Sequence, residues 1–257
     1  MRRIVTLMVI AVPFVLAMTG PAAAQAAPAL LWQVPAEGRG FGVAASPVSG
    51  DFYVADFANA RIDEFTAWGQ FVRAFGWGVD ASSPAEALQV CTNATGCRAG
   101  TKGAGAGQFS GPSGIAVGAG GAIFVMDRDN NRVQKFDPEG NFLLMLGGDV
   151  NKTKVEDPLA SEAERNRCPV DTGDECQAGT IGIGNGQFAN SPGSVVDSIE
   201  AAPDGSIYVG DVDRIQVFDA NGVYQNDIHL PKSGEVSGGV EEGAGVSTGS
   251  LAICRSR

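Results

Sequence analysis

Residues 114–147 run Gly114-Ile115-Ala116-Val117, a glycine-rich turn, Ala122-Ile123-Phe124-Val125-Met126-Asp127, then Arg132-Val133-Gln134-Lys135-Phe136-Asp137, the turn Pro138-Glu139-Gly140, and Asn141-Phe142-Leu143-Leu144-Met145-Leu146-Gly147. Short β-branched and aromatic runs separated by tight-turn residues make successive antiparallel hairpins. The stretch therefore reads as a meander of four strands.

Two further segments follow the same template. The earlier one passes from Gly42-Val43-Ala44-Ala45 through Asp51-Phe52-Tyr53-Val54-Ala55-Asp56 and Arg61-Ile62-Asp63-Glu64-Phe65 to Gln70-Phe71-Val72-Arg73-Ala74-Phe75-Gly76. The later one reads Ser198-Ile199-Glu200-Ala201, Ser206-Ile207-Tyr208-Val209-Gly210-Asp211, Arg214-Ile215-Gln216-Val217-Phe218-Asp219 and Gly222-Val223-Tyr224-Gln225. A lone four-stranded sheet buries neither face, so such units stack around a channel and share cores. The expected fold is all-β: a β-propeller of four-stranded antiparallel blades at about 40–78, 112–148 and 196–230. Gly249-Ser250-Leu251-Ala252-Ile253 matches the opening strand of a fourth blade, placed at 249–257. About three blades plus one strand make an incomplete ring, which reads as a fragmentary chain or as one closed by self-association or by another chain.

The repeat resembles that of the NHL family, which runs roughly Pro-x-Gly-Ile-Ala-Val, Val-Tyr-Val-x-Asp and Asn-x-Arg-Val-x-x-Phe. Pro112-Ser113-Gly114-Ile115-Ala116-Val117, Phe124-Val125-Met126-Asp127 and Asn130-Asn131-Arg132-Val133-Gln134-Lys135-Phe136 carry the likeness. Asn59 and Arg61 keep it in the first copy, whereas the third shortens the link from Asp211 to Arg214 and loses the Asn. The resemblance implies an interaction module, the role such propellers have in sensor ectodomains and in ubiquitin ligases. No kinase domain or RING-type Cys/His array accompanies it.

Arg2 and Arg3 precede an apolar run from Ile4 to Met18 and the small residues of Pro21 to Ala26. This is the pattern of a signal peptide, residues 1–26, cut after Ala24 or Ala26; an uncleaved anchor is the alternative. Residues 27–257 then form a secreted or extracytoplasmic propeller with no membrane span. The formal net charge is −11, and without Arg2 and Arg3 16 basic residues face 29 acidic ones. Such a surface repels phosphate backbones, so nucleic acid is disfavoured as a partner.

The five cysteines are Cys91, Cys97, Cys168, Cys176 and Cys254. In an oxidising compartment the close pairs Cys91/Cys97 and Cys168/Cys176 read as disulfides, leaving Cys254 over. Each pair lies in an insert, 79–107 and 149–187, that lengthens the link between blades. Both inserts end alike, Cys97-Arg98-Ala99-Gly100-Thr101 with Gly107-Gln108-Phe109, and Cys176-Gln177-Ala178-Gly179-Thr180 with Gly186-Gln187-Phe188. Strand alternation places the inserts on the same face as the Asp127-to-Arg132 links, and that face is the expected binding surface for a protein, peptide or glycan at the cell surface.

The pairs Asp56/Arg61, Asp127/Arg132 and Asp211/Arg214 recur in every blade. They read as register-fixing structure rather than ligand contacts. His229 is the lone histidine, so no Ser-His-Asp or Cys-His arrangement assembles and no catalytic residue is assigned. The competing function is a metal-dependent hydrolase or lyase of the six-bladed, lactonase-like kind, in which Ca2+ is the one cofactor to consider. Its weak candidate ligand is Glu200, whose counterparts are Ala44, Ala116 and Ala252. Asn93-Ala94-Thr95 and Asn151-Lys152-Thr153 fit the glycosylation pattern. The glycine-rich runs 103–107 and 234–249 read as flexible linkers, since neither has the helix or lysine of a phosphate loop.

Overall fold

The computed structural model describes residues 42–189, 198–212 and 214–229. The expected leader at 1–26, the run 234–249, the expected partial blade at 249–257 and Cys254 lie outside the described residues. Three antiparallel sheets follow one another along the chain. The first contains β1 (Val43–Ala45), β2 (Phe52–Asp56), β3 (Arg61–Phe65), β4 (Phe71–Trp77) and β5 (Leu88–Cys91). The second contains β6 (Pro112–Val117), β7 (Ile123–Asp127), β8 (Arg132–Phe136), β9 (Phe142–Leu146) and β10 (Arg167–Pro169). The third contains β11 (Ile199–Ala201), β12 (Ile207–Asp211), β13 (Arg214–Phe218) and β14 (Tyr224–His229). Among the described residues no helix is long and apolar enough to cross a membrane.

Each sheet is a meander whose strands pair in chain order. The third and fourth strands of every blade shift register at the same place, Glu64/Phe65, Lys135/Phe136 and Val217/Phe218. Such a bulge bends the outer strand and raises the local twist, which lets one sheet nest on the next.

The first two sheets differ from the expected four strands. Each carries a fifth, because the inserts fold back on the outer edge: Val90 of β5 pairs with Phe75, and Cys168 of β10 with Met145. A disulfide anchors each added strand, Cys91–Cys97 with a Cα–Cα distance of 5.3 Å and Cys168–Cys176 with 5.8 Å. Two one-turn helices, α1 (Lys152–Val155) and α2 (Glu162–Arg165), precede β10. Asn151 caps α1, and a Ser161/Glu164 capping box starts α2.

The core lies between the sheets. Tyr53, Ala55, Ile62 and Phe75 of the first blade pack on Ile115, Ile123, Val125, Phe136 and Met145 of the second. The opposite face of the second blade, Ala116, Phe124, Met126, Val133, Leu144 and Leu146, packs on Ile199, Ile207, Val209 and Phe218 of the third. This division is strand alternation at work, since neighbouring residues such as Ile115 and Ala116 serve different interfaces. No closed ring is present among the described residues.

Candidate functional site

In the second and third blades the recurrent Asp and Arg hold the chain that enters the blade. Asp127 sits at the end of β7, wholly buried, and accepts from the Ser110 N–H (2.7 Å), Asn130 Nδ2 (2.7 Å) and Arg132 Nε (2.9 Å). Arg132, also without exposure, donates to the carbonyls of Ala104, Gly105 (3.1 Å), Gln108 (2.7 Å) and Gln177 (3.1 Å). Burial pushes the Asp127 carboxyl up and the Arg132 guanidinium down, while their contact opposes both shifts. The third blade repeats the device. Asp211 accepts from the Ala189 N–H (2.9 Å) and from Arg214 (2.9 Å), and Arg214 reaches the carbonyls of Gly184 (2.9 Å) and Gln187 (3.3 Å).

A glutamine two residues after the arginine completes the clamp, and sequence reading passed over it. Gln134 accepts from the Gly107 N–H (2.9 Å) and donates to the Gln108 carbonyl (2.6 Å). Gln216 does the same with Gly186 (2.8 Å) and Gln187 (2.6 Å). The run 103–107, expected to be a flexible linker, is therefore fixed from both sides. Its following Phe109 is fully buried against Phe136 at 5.6 Å, as Phe188 is against Phe218 at 6.0 Å. The signal was present as an Arg-x-Gln spacing matched to Gly-Gln-Phe, but only contacts between distant segments give it meaning.

The first blade departs from the pattern. Asp63 stands where the others have Gln134 and Gln216, and Arg61 lies closer to it (2.9 Å) than to Asp56 (3.6 Å). The Arg61 Nε–H is not aimed at Asp63, and the aligned hydrogen bond is a long one, Nη2 to Oδ2 at 3.5 Å. Burial, with Asp56 adding to it against the pull of Arg61, raises Asp63 to about 6. Because the folded-state value lies above the ordinary carboxylate value, the folded state binds more protons, and stability falls as pH rises from about 4 to 6. Asp63→Asn is therefore expected to gain about 2 kcal/mol on wild type between pH 4 and pH 7. Urea unfolding of both proteins at several pH values measures this. A difference that stays flat, or grows toward acid, would contradict it.

The duplicated insert endings share one docking contact. Gly100 N–H donates to the Asn59 carbonyl (2.7 Å) and Gly179 N–H to that of Asn130 (2.8 Å), while Thr101 and Thr180 bond back to Trp77 and Gly148. A Cβ on Gly179 would lie 2.4 Å from the Asn131 carbonyl oxygen, and one on Gly100 2.5 Å from that of Ala60. Only glycine permits this approach of two backbones.

A cleft of about 570 Å³ opens between the second insert and the third blade. Its walls include Lys154, Glu164, Arg167 and Asp174 from the insert, and Phe218 and Tyr224 from the blade. Arg167 Nε bonds the Asn221 carbonyl (2.6 Å) in the β13–β14 turn, tying insert to blade. That turn leaves the sheet at the end opposite the Asp211-to-Arg214 link. The cleft thus lies on the outer rim, because β10 runs back antiparallel along β9 instead of ending on one face. The Asn151 amide holds Asp174 below the usual carboxylate range, and Ser161 does so for Glu164. Burial, then Asp227, raises Tyr224.

Glu200 lies on β11 opposite Tyr208, between Ile199 and Ala201, which pack toward the second blade; alternation turns it to the other sheet face. Among the described residues no three His, Cys, Asp or Glu side chains gather as a metal site requires. His229 ends β14, opposite Arg214. Asn93 is exposed on the turn inside the first disulfide loop, whereas Asn151 is buried and bonded to Asp174 and the Arg167 carbonyl.

Stacked meanders that share cores blade to blade are the construction of a β-propeller. Residues 109–136 match the NHL repeat. The chain is 47% identical over 51 residues, 20% of this chain and 5% of the relative, to the "Protein brain tumor" of Drosophila melanogaster. It is 28% identical over 183 residues, 66% of this chain and 17% of the relative, to Peptidyl-glycine alpha-amidating monooxygenase A of Xenopus laevis. It thus spans a small part of the curated relatives it matches. Among solved structures, Kuenenia stuttgartiensis Hydrazine Synthase aligns with a TM-score of 0.39 at 11% identity, over 74% of this chain and 36% of that one.

Proposed function

We propose that this chain is an extracytoplasmic NHL-repeat binding module that seats a protein or peptide partner in the rim cleft between residues 149–187 and the third blade. The leader-type residues 1–26 and the two disulfides support the extracytoplasmic setting. One observation carries the choice of site. The recurrent Asp, Arg and Gln side chains are consumed in holding the fold, whereas the cleft combines a half-open aromatic, Tyr224, with charged groups of both signs. Aromatic and arginine side chains in a concave setting are the usual anchors of a binding surface. The insert supplies one wall, and its disulfide and its two caps hold that wall in shape.

The test is capture by the immobilised chain from the medium of the cells that secrete it. Tyr224→Ala is expected to lower the amount of retained partner at least tenfold, an effect of the size hot-spot truncations have. Asn93→Ala, on the exposed turn inside the disulfide loop of the first insert, is expected to leave capture in place. Equal retention by wild type and Tyr224→Ala would remove the cleft from the account.

A further inference from the structure

The balance of charge in the rim cleft favours a guest that is itself uncharged. The walls hold Glu162, Glu164 and Asp174 against Lys154 and Arg167. Asp174, held down first by Asn151, and Glu164, held down first by Ser161, both also feel the Lys154 ammonium, so part of this charge is compensated within the walls. An anionic guest would face three carboxylates, and a cationic guest an ammonium and a guanidinium. Neither would recover, from a wall of opposite sign, the cost of leaving water.

Hydrogen-bonding capacity of both kinds is left in these walls. Each carboxylate is fixed through one oxygen: Glu162 Oε1 accepts from Gln187 (3.2 Å), Glu164 Oε2 from the Ser161 N–H (2.8 Å) and hydroxyl (2.7 Å), and Asp174 Oδ2 from Asn151 (2.8 Å). An ionised carboxylate offers about four acceptor sites, more than these bonds use. Arg167 gives its Nε–H to the Asn221 carbonyl (2.6 Å), and a guanidinium carries further donors on its terminal nitrogens. A hydroxyl donates and accepts at once, so a row of hydroxyls can use carboxylate and guanidinium side by side. Tyr224, half-buried and edge to face with Phe218 at 6.1 Å, sets an aromatic surface among these polar groups. An aromatic ring gives large, rigid apolar contact at low entropic cost. A guest with a rim of hydroxyls and an apolar C–H face matches both features, and that is the make-up of a sugar. The volume of about 570 Å³ is that of a small-ligand site. We infer that the rim cleft takes a neutral sugar unit, a hexose or N-acetylhexosamine of a short glycan borne by the partner, its apolar face on Tyr224 and its hydroxyls on Arg167 and the wall carboxylates. This rests on the binding function proposed above and specifies what the partner places in the cleft.

The probe is an array of immobilised neutral oligosaccharides of glucose, galactose, mannose and their N-acetyl forms, with sialylated and sulfated counterparts, overlaid with the full chain and read with an antibody to it. Wild type is expected to hold at least one neutral oligosaccharide, and its charged counterparts about tenfold or more weakly. Tyr224→Ala and Arg167→Met, each checked for unchanged circular dichroism, are each expected to lower that signal about tenfold or more. Binding to no neutral oligosaccharide, equal binding of the charged forms, or full binding by both variants would overturn the inference. Capture from medium whose glycans have been oxidised with periodate separates this inference from the function it rests on, and is expected to fall about tenfold or more. Capture that survives periodate yet still depends on Tyr224 means that a peptide fills the cleft, so the sugar is wrong and the binding function stands. If capture is also indifferent to Tyr224, both fall.

Discussion

Arg132→Met is expected to destabilise the protein by about 4 kcal/mol, the largest loss of any single substitution considered, with a fall in melting temperature of roughly 10 °C. The side chain has no exposure and ties together Asp127 and carbonyls from the chain entering its own blade and from the second insert. Methionine fills similar space but leaves the Asp127 carboxylate buried without its cation and several carbonyls without donors. Removing one partner of a buried pair costs more than the pair itself contributes. Asp127→Leu/Arg132→Met should therefore lose less than Arg132→Met alone. It will not return to wild type, because the Ser110 N–H and Asn130 amide also lose their acceptor. Chemical unfolding of the three proteins gives the comparison. A loss below about 1 kcal/mol for Arg132→Met, the range of surface pairs, would show that the clamp is ornamental.

Gly140→Ala is expected to cost about 3 kcal/mol, against about 1 kcal/mol for Gly69→Ala at the same position of the first blade. Both glycines turn the chain between third and fourth strands with positive φ, +91° and +81°, so the backbone strain added by a Cβ is similar. Their surroundings differ. A Cβ on Gly140 would lie 3.0 Å from Cγ of Phe75, a fully buried ring in the core between the first and second blades. One on Gly69 would meet nothing within 4 Å. The difference between the two variants therefore isolates how tightly one blade's turn presses on the blade before it. Equal losses would mean that the two blades do not pack closely at this point.

The blades were legible because period-two alternation and tight-turn residues are local. Gly114-Ile115-Ala116-Val117 and its counterparts state the strand, its faces and its place in the repeat within a few residues. The recurrence of Asp and Arg was legible for the same reason, since the two sit three to five residues apart. The fifth strands were not, because Leu88–Cys91 and Arg167–Pro169 are short and take their strand character from the edges they pair with. Tertiary context of that kind outweighs local propensity. Gln134 and Gln216 were missed because their partners lie 26 to 30 residues away. The run Gly103–Gly107 misled for the opposite reason: its composition is that of a linker, and it is held still by Asn130, Arg132 and Gln134 from a distant part of the chain. The cleft has no local signature, being assembled from residues 151–174, 185–186 and 218–224.

Hydrogen–deuterium exchange of the full chain, alone and saturated with its captured partner, tests the function most directly. The account predicts added protection in residues 162–169 and 222–224, the two walls of the rim cleft, with no change at Asp127–Arg132, whose groups are already satisfied inside the fold. Protection centred on residues 127–132 and 211–214, with the rim unchanged, would contradict it and return the binding surface to the face that carries the Asp-to-Arg links.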